Sequence, residues 1–195
     1  MGETKTASAK AVPREYKQTG TLGVLAAPSQ SALNGFPVQN GAANMGPSPG
    51  PSPRLLPEYT CFRLKLASSK IHRWGIYASE PIPARKKVIE YTGERISRRE
   101  TKRRAEQRQF TYMFTLDNYW TLDGSVGGSG AQYINHSCDP NLVARIVKGH
   151  ILYVSLRPIR QGEELTIDYH FDKKVEKVPC RCGSLKCRGT INVTE

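Results

Sequence analysis

The chain has 195 residues, 38% of them hydrophobic and 24% charged, enough for one domain with an appendage. No run of about 18 apolar residues marks a membrane span and no continuous apolar segment marks a secretory signal, so an intracellular protein without a membrane partner is expected. The formal charge of +12 (29 Lys+Arg against 17 Asp+Glu) favours acidic partners over basic ones.

Residues 1–57 hold eight of the 13 prolines and seven of the 17 glycines but only two aromatics, Tyr16 and Phe36. Ordering a residue costs about 1–2 kcal/mol, and a tract this poor in large apolar groups cannot offset it, so disorder is expected. Its run from Pro47 to Arg54 favours extended polyproline geometry. The tract carries five Lys+Arg and two Asp+Glu, so +9 of the +12 lies in the remainder.

From Tyr59 onward Cys61, Arg63 and Lys65 alternate with Phe62, Leu64 and Leu66, the period of a strand, and place a small buried thiol at Cys61. Gly75 in Ile71–Ala78 marks a close approach of the backbone to a ligand or another strand. Val88–Tyr91 reads as a short strand, and Glu94–Gln109 as the one good helix. Seven Lys+Arg lie between Arg95 and Arg108. They suit a solvated helix face, a nuclear address or a DNA contact. Phe110–Asp117 and Tyr119–Asp123 read as strands joined at Asp117–Asn118. The loop Gly124–Gly130 lacks the lysine of a phosphate-binding loop. Leu142–Ile146 and His150–Leu156 alternate around Lys148–Gly149 as a hairpin, and Leu165–Tyr169 follows a turn at Gly162. The pattern is mainly β with little helix.

Chemistry concentrates in two places. Asn135-His136-Ser137-Cys138-Asp139-Pro140-Asn141 puts an amide, an imidazole and a thiol within four residues, and Cys180-Arg181-Cys182-Gly183-Ser184-Leu185-Lys186-Cys187 supplies three thiols in eight. A structural zinc ion takes four ligands. Cys138, in a constrained polar turn, is a better fourth than Cys61; a disulfide is disfavoured by strain and by a reducing compartment. Arg181, Lys186 and Arg188 are placed to offset the thiolates' charge.

Together these residues resemble a SET-domain protein lysine methyltransferase with a post-SET zinc tail. Asn135–Cys138 matches the family's NHSC, Gly162–Tyr169 its GEELTxDY, Glu90–Glu94 its EYxGE, and Cys180–Cys187 its post-SET array. The match covers about residues 59–195, with no cysteine-rich pre-SET region. The resemblance implies several short curved sheets with a knot-like C-terminal threading. It divides the chain into a tail (1–57), a SET domain (58–172) and a post-SET segment (173–195). It also implies transfer of methyl groups from S-adenosylmethionine to a protein lysine, most commonly in a histone tail, with a single structural zinc ion on Cys138, Cys180, Cys182 and Cys187. By the same resemblance Arg73, Trp74, Gly75, Asn135, His136 and Tyr112 contact the cofactor, and Tyr169 and Tyr112 are catalytic.

Three departures stand out. Arg73 replaces the first glycine of the family's GxG, a change tolerated at negative φ. Gln132 replaces an arginine, and Ile167 replaces the Phe or Tyr that helps set methyl number, which points to products beyond monomethyl-lysine. A monomer with a basic surface suited to nucleosomal DNA is expected, in the nucleus of a eukaryote or the cytoplasm of a bacterium. Competing readings are a catalytically silent SET-fold binding protein, a methyltransferase of a non-histone protein, and a zinc-containing nucleic-acid module; the last lacks a groove-reading helix.

Overall fold

The computed structural model describes residues 53–108, 112–173 and 176–194. The N-terminal tract through Ser52, and Phe110 and Thr111 of the expected strand, lie outside the described residues. Among the described residues ten short strands form four small sheets, accompanied by one α-helix. No helix of the described residues is long and apolar enough to cross a membrane.

β1 (Leu64–Ser68) and β2 (Trp74–Ala78) form an antiparallel pair. The strand expected from Tyr59 therefore starts later. Cys61 precedes it and is exposed, not buried in a strand, its main-chain N–H donating to Val88 O. β3 (Lys87–Tyr91), β9 (His150–Ser155) and β8 (Leu142–Val147) form a second sheet, in the order β3-β9-β8. The β8–β9 turn falls on Lys148–Gly149 as expected, with φ of 49° and 82°, a left-handed pair that matches the twist of the strands.

β4 (Glu94–Ser97), β6 (Trp120–Asp123) and β5 (Met113–Thr115) form the third sheet, and α1 runs only over Arg98–Gln107. The helix expected from Glu94 starts four residues late for a local reason. Ile96 is buried on a strand paired to β6, and Ser97 in extended conformation caps the helix by accepting from Glu100 N–H at 3.2 Å. α1 buries none of its own residues. Arg104 binds Asp123, Glu94 and Glu100, each at 2.7 Å, and Arg108 binds Asp123 at 2.7 Å. The basic helix is thus partly neutralised on its inner side.

The core joins these sheets through Ile76, Val88, Ile89, Ile134, Leu142, Ile151 and Leu165, all fully or nearly fully buried. β7 (Asn135–His136) and β10 (Thr166–Ile167) pair in parallel. The run Gly162–Ile167 lies between β2 and β7. On one side Gly162 N–H donates to Ala78 O and Leu165 N–H to Ile76 O, both at 2.7 Å; on the other Ser137 N–H donates to Ile167 O at 3.0 Å. Buried Asn141 staples it further, donating to Glu164 O at 2.7 Å and accepting from Thr166 N–H at 2.9 Å.

Candidate active site and thiolate cluster

β7 carries Asn135 and His136 into the middle of the molecule, 6% and 3% exposed. The Asn135 amide donates to Trp74 O at 2.9 Å and Glu164 Oε1 at 2.8 Å, with His72 O at 3.4 Å. This ties the Arg73–Gly75 segment to β7. Glu164 also accepts from Ser69 Oγ at 2.8 Å and Tyr77 OH at 3.1 Å. The close approach expected at Gly75 is to this carboxylate: a Cβ there would lie 2.5 Å from Glu164 Oε1. Arg73 adopts a φ of 41°, left-handed, so the negative φ under which replacing glycine is free of strain is not met. Gln132 occupies a 3-10 turn and accepts from Gly130 N–H through Oε1 at 2.8 Å, a local turn contact.

Tyr169 is held at both ends. Its hydroxyl donates to Ile134 O at 2.9 Å, and its main-chain N–H donates to His136 Nδ1 at 3.2 Å. Its ring packs against His136 and Phe171 at 5.4 and 6.0 Å. Burial raises the Tyr169 hydroxyl pKa, and the neighbouring Tyr112 and Glu164 raise it further, so the phenol stays protonated. Tyr112 meets Tyr133 edge-on at 5.6 Å, and its carbonyl accepts from the buried Tyr91 hydroxyl. Burial likewise raises the Tyr112 pKa. Ile167 is buried one residue before Asp168 and brings no hydroxyl to this region.

Because the Tyr169 N–H can only donate, His136 Nδ1 accepts and its proton sits on Nε2, 3.4 Å from Cys138 Sγ. Burial keeps the imidazole neutral, lowering its pKa to about 4 against the opposing pull of Asp168. One ring thus touches both the tyrosine segment and the cysteine turn.

Cys138, Cys180, Cys182 and Cys187 place their sulfurs within 4.8 Å of one another, and none is in a disulfide. Tetrahedral zinc with Zn–S near 2.3 Å separates its sulfurs by about 3.8 Å. Cys138 and Cys180 lie 3.7 Å apart. Main-chain N–H groups of Arg188 and Gly189 donate to Cys138 and Cys187 Sγ, both at 3.4 Å, contacts that would also stabilise metal-bound thiolates. Burial raises the Cys182 thiol, but main-chain donors at Cys138 and Ser184 outweigh it and bring it down to about 6. The four residues fit a metal ion. Of the cations expected to offset them, Lys186 pairs with Asp139 at 3.1 Å, and the Arg188 guanidinium turns to Asp168, at 2.6 and 3.0 Å.

The cofactor, catalytic and metal candidates thus gather around β2, β7 and the cysteine tail, although the side chains of Arg73 and Trp74 are exposed. Glu164, Asn141 and Asn192 carry no individual signal in the sequence, and Arg188, expected beside the thiols, instead directs its guanidinium to Asp168. Asn192, 2% exposed, holds the tail together by donating to Asp172 O at 3.0 Å and Glu176 O at 3.2 Å. Nothing in its sequence neighbourhood signals that role.

Several small sheets, a run clamped between β2 and β7, and a four-cysteine cluster beside β7 define a β-rich domain with an attached tail that could hold a metal ion. The model of the SET domain matches residues 73–170, half of the chain, and the chain belongs to that family. It is 42% identical over 139 residues to "Histone-lysine N-methyltransferase SETD1" of Drosophila melanogaster, covering 67% of this chain and 8% of the relative. It is 40% identical over 139 residues to "Histone-lysine N-methyltransferase SETD1B" of Homo sapiens, covering 67% of this chain and 7% of that protein. It is also 40% identical over 139 residues to "Histone-lysine N-methyltransferase, H3 lysine-4 specific" of Eremothecium gossypii, covering 65% of this chain and 14% of the relative. The chain thus spans a small part of the length of the relatives it matches.

Proposed function

We propose that the protein is a histone-lysine methyltransferase that uses S-adenosylmethionine, with a zinc ion on Cys138, Cys180, Cys182 and Cys187 and with lysine 4 of histone H3 as the first substrate to test. The observation that carries this reading is the His136 ring, which joins the thiolate cluster to the tyrosine segment through contacts of 3.4 and 3.2 Å. When bound, the cofactor would supply an electrophilic methyl group. Arg73, Trp74, Gly75 and Asn135 would hold it, with His136 and Tyr112 at its edges. Tyr169 and Tyr112 would line the lysine channel.

The chain's residues meet the main energetic obstacle. A lysine of ordinary pKa near 10.4 costs about 4–5 kcal/mol to deprotonate at pH 7. Enclosure by Tyr112, Tyr133 and Tyr169 disfavours the ammonium, and the protonated tyrosine hydroxyls and nearby carbonyls orient the amine. Orientation of the reacting pair then supplies several kcal/mol. Ile167 leaves no hydroxyl to hold a partly methylated amine in one pose, so di- and trimethylated products are expected.

The division at residues 58–172 and 173–195 belongs to the same reading, as does a nuclear setting. Arg95 stacks over Trp120 and Arg98 donates to Thr115, whereas exposed Arg99 and Lys102 form no ion pair with the described carboxylates and suit a nearby DNA backbone. Such contact would weaken steeply with salt. The deciding experiment is calorimetric titration of S-adenosylmethionine into zinc-loaded protein, beside a labelled-methyl assay on histone H3 and on total lysate. Absence of cofactor binding would end the enzyme reading in favour of a silent SET-fold binding protein.

A further inference from the structure

Arg188 lies between the thiolate cluster and the tyrosine segment. Its main-chain N–H donates to Cys138 Sγ at 3.4 Å, while its guanidinium grips Asp168 at two points, Nη1 to Oδ2 at 2.6 Å and Nη2 to Oδ1 at 3.0 Å. Nη2 also donates to Ile191 O at 3.2 Å. The pair is largely shielded, with 22% and 13% of the side chains exposed. Burial alone would raise the Asp168 carboxyl, yet the bonds from Arg188 and His170 outweigh it and leave it below its ordinary value.

Asp168 adjoins Tyr169, and its Oδ1 also accepts from His170 N–H at 3.1 Å. His170 sits at a φ of 50°, a left-handed conformation that a residue with a Cβ keeps only when its surroundings impose it. The same Oδ1 lies 3.5 Å from His136 Nδ1, the atom that receives the Tyr169 N–H. A two-point grip on Asp168 therefore fixes the backbone on both sides of Tyr169. Arg188 Nε, moreover, is the one buried side-chain nitrogen or oxygen without a partner among the described residues. A buried donor left over is costly unless an acceptor arrives.

We infer that Arg188 is a positioning residue: through Asp168 it converts docking of the cysteine tail into the bound-state geometry of Tyr169 and the cofactor pocket. The cluster alone does not suffice; a tail with its metal but without this grip leaves the turn at Asp168–His170 loose. The inference rests on the proposed S-adenosylmethionine site for its binding readout but not for its backbone readout.

The test compares zinc-loaded full-length protein with Arg188→Lys, Asp168→Asn and the double variant, measuring zinc content, amide hydrogen exchange at Tyr169 and His170, and S-adenosylmethionine affinity. Arg188→Lys keeps the charge but loses the planar two-point grip. Both single variants should retain one zinc per chain and exchange the two amides about tenfold faster, while binding cofactor about tenfold more weakly, which is about 1.4 kcal/mol. The double variant should be no worse than the worse single one, since each removes the same contact. Slow exchange retained in both singles, loss of zinc in step with loss of affinity, or additive effects would each overturn the inference. If the parent itself binds no cofactor, the functional proposal fails, and the exchange and zinc measurements still decide this one.

Discussion

Gly75→Ala isolates the contact that holds the front of the candidate pocket. The new Cβ would stand 2.5 Å from Glu164 Oε1, 3.0 Å from Glu164 Cδ and 3.0 Å from Ser69 Cβ. Oε1 must retreat by about 0.9 Å to reach ordinary contact. It cannot do so freely, because it accepts from Ser69 Oγ and Asn135 Nδ2, each at 2.8 Å. Bonds to a charged group contribute about 1.5–3 kcal/mol each, so losing both bounds the cost at about 3–6 kcal/mol. Partial relaxation places the expected loss near 3 kcal/mol, a fall in Tm of about 6–12 °C for a domain of this size. Thermal unfolding of Gly75→Ala, Glu164→Ala and the double variant reads this directly. The double variant should be less destabilised than the sum of the singles, because the clash needs both side chains. Strict additivity, or a Gly75→Ala protein as stable as the parent, would refute the steric account.

Other outcomes follow from the same contacts. Cys138→Ser removes one of four clustered thiols, and should lower zinc stoichiometry by metal titration and abolish cofactor binding together; loss of one alone would contradict the bridge through His136. Tyr169→Phe removes the hydroxyl that donates to Ile134 O, and should slow methyl transfer about a hundredfold or more with little change in cofactor affinity, read by single-turnover kinetics. Asp123→Asn should cost about 2–4 kcal/mol in chemical unfolding, since its fully buried carboxylate holds Arg104 and Arg108. Burial opposes ionisation of Asp123, but bonds from Ser125, Arg104 and Arg108 prevail and leave its pKa below the ordinary value. Its contribution is therefore whole above about pH 3.9 and is lost as the pH falls through the lower folded value, so the variant should show a shallower acid slope of stability.

Patterns confined to a few neighbouring residues were legible in the sequence. Gly149 between two alternating runs marks the β8–β9 turn because a left-handed position favours glycine, and the CxCx4C spacing marks the cluster because thiols with that spacing have few other uses. α1 begins four residues after the helical pattern does because strand pairing of Glu94–Ser97 with β6 overrides the local helical preference of its charged residues. Alternation alone does not say where a strand begins, and Cys61 lies exposed ahead of β1. Glu164, Arg188 and Asn192 work through partners distant in sequence, and no local pattern encodes which carboxylate an arginine will find.

The clamped run Gly162–Ile167 bears on how the molecule comes to exist. Ser69 and Glu164 are 95 residues apart in the chain, and Tyr77 and Glu164 are 87 apart, yet all three meet at one carboxylate. Until the run arrives, Ile76 and Ala78 lack the carbonyl and amide partners that it supplies. Closing so long a loop is entropically expensive before any contact rewards it. During synthesis the first half of the domain therefore emerges with the Ile76–Ala78 edge unpaired, and that edge is satisfied only when Gly162–Ile167 threads into place.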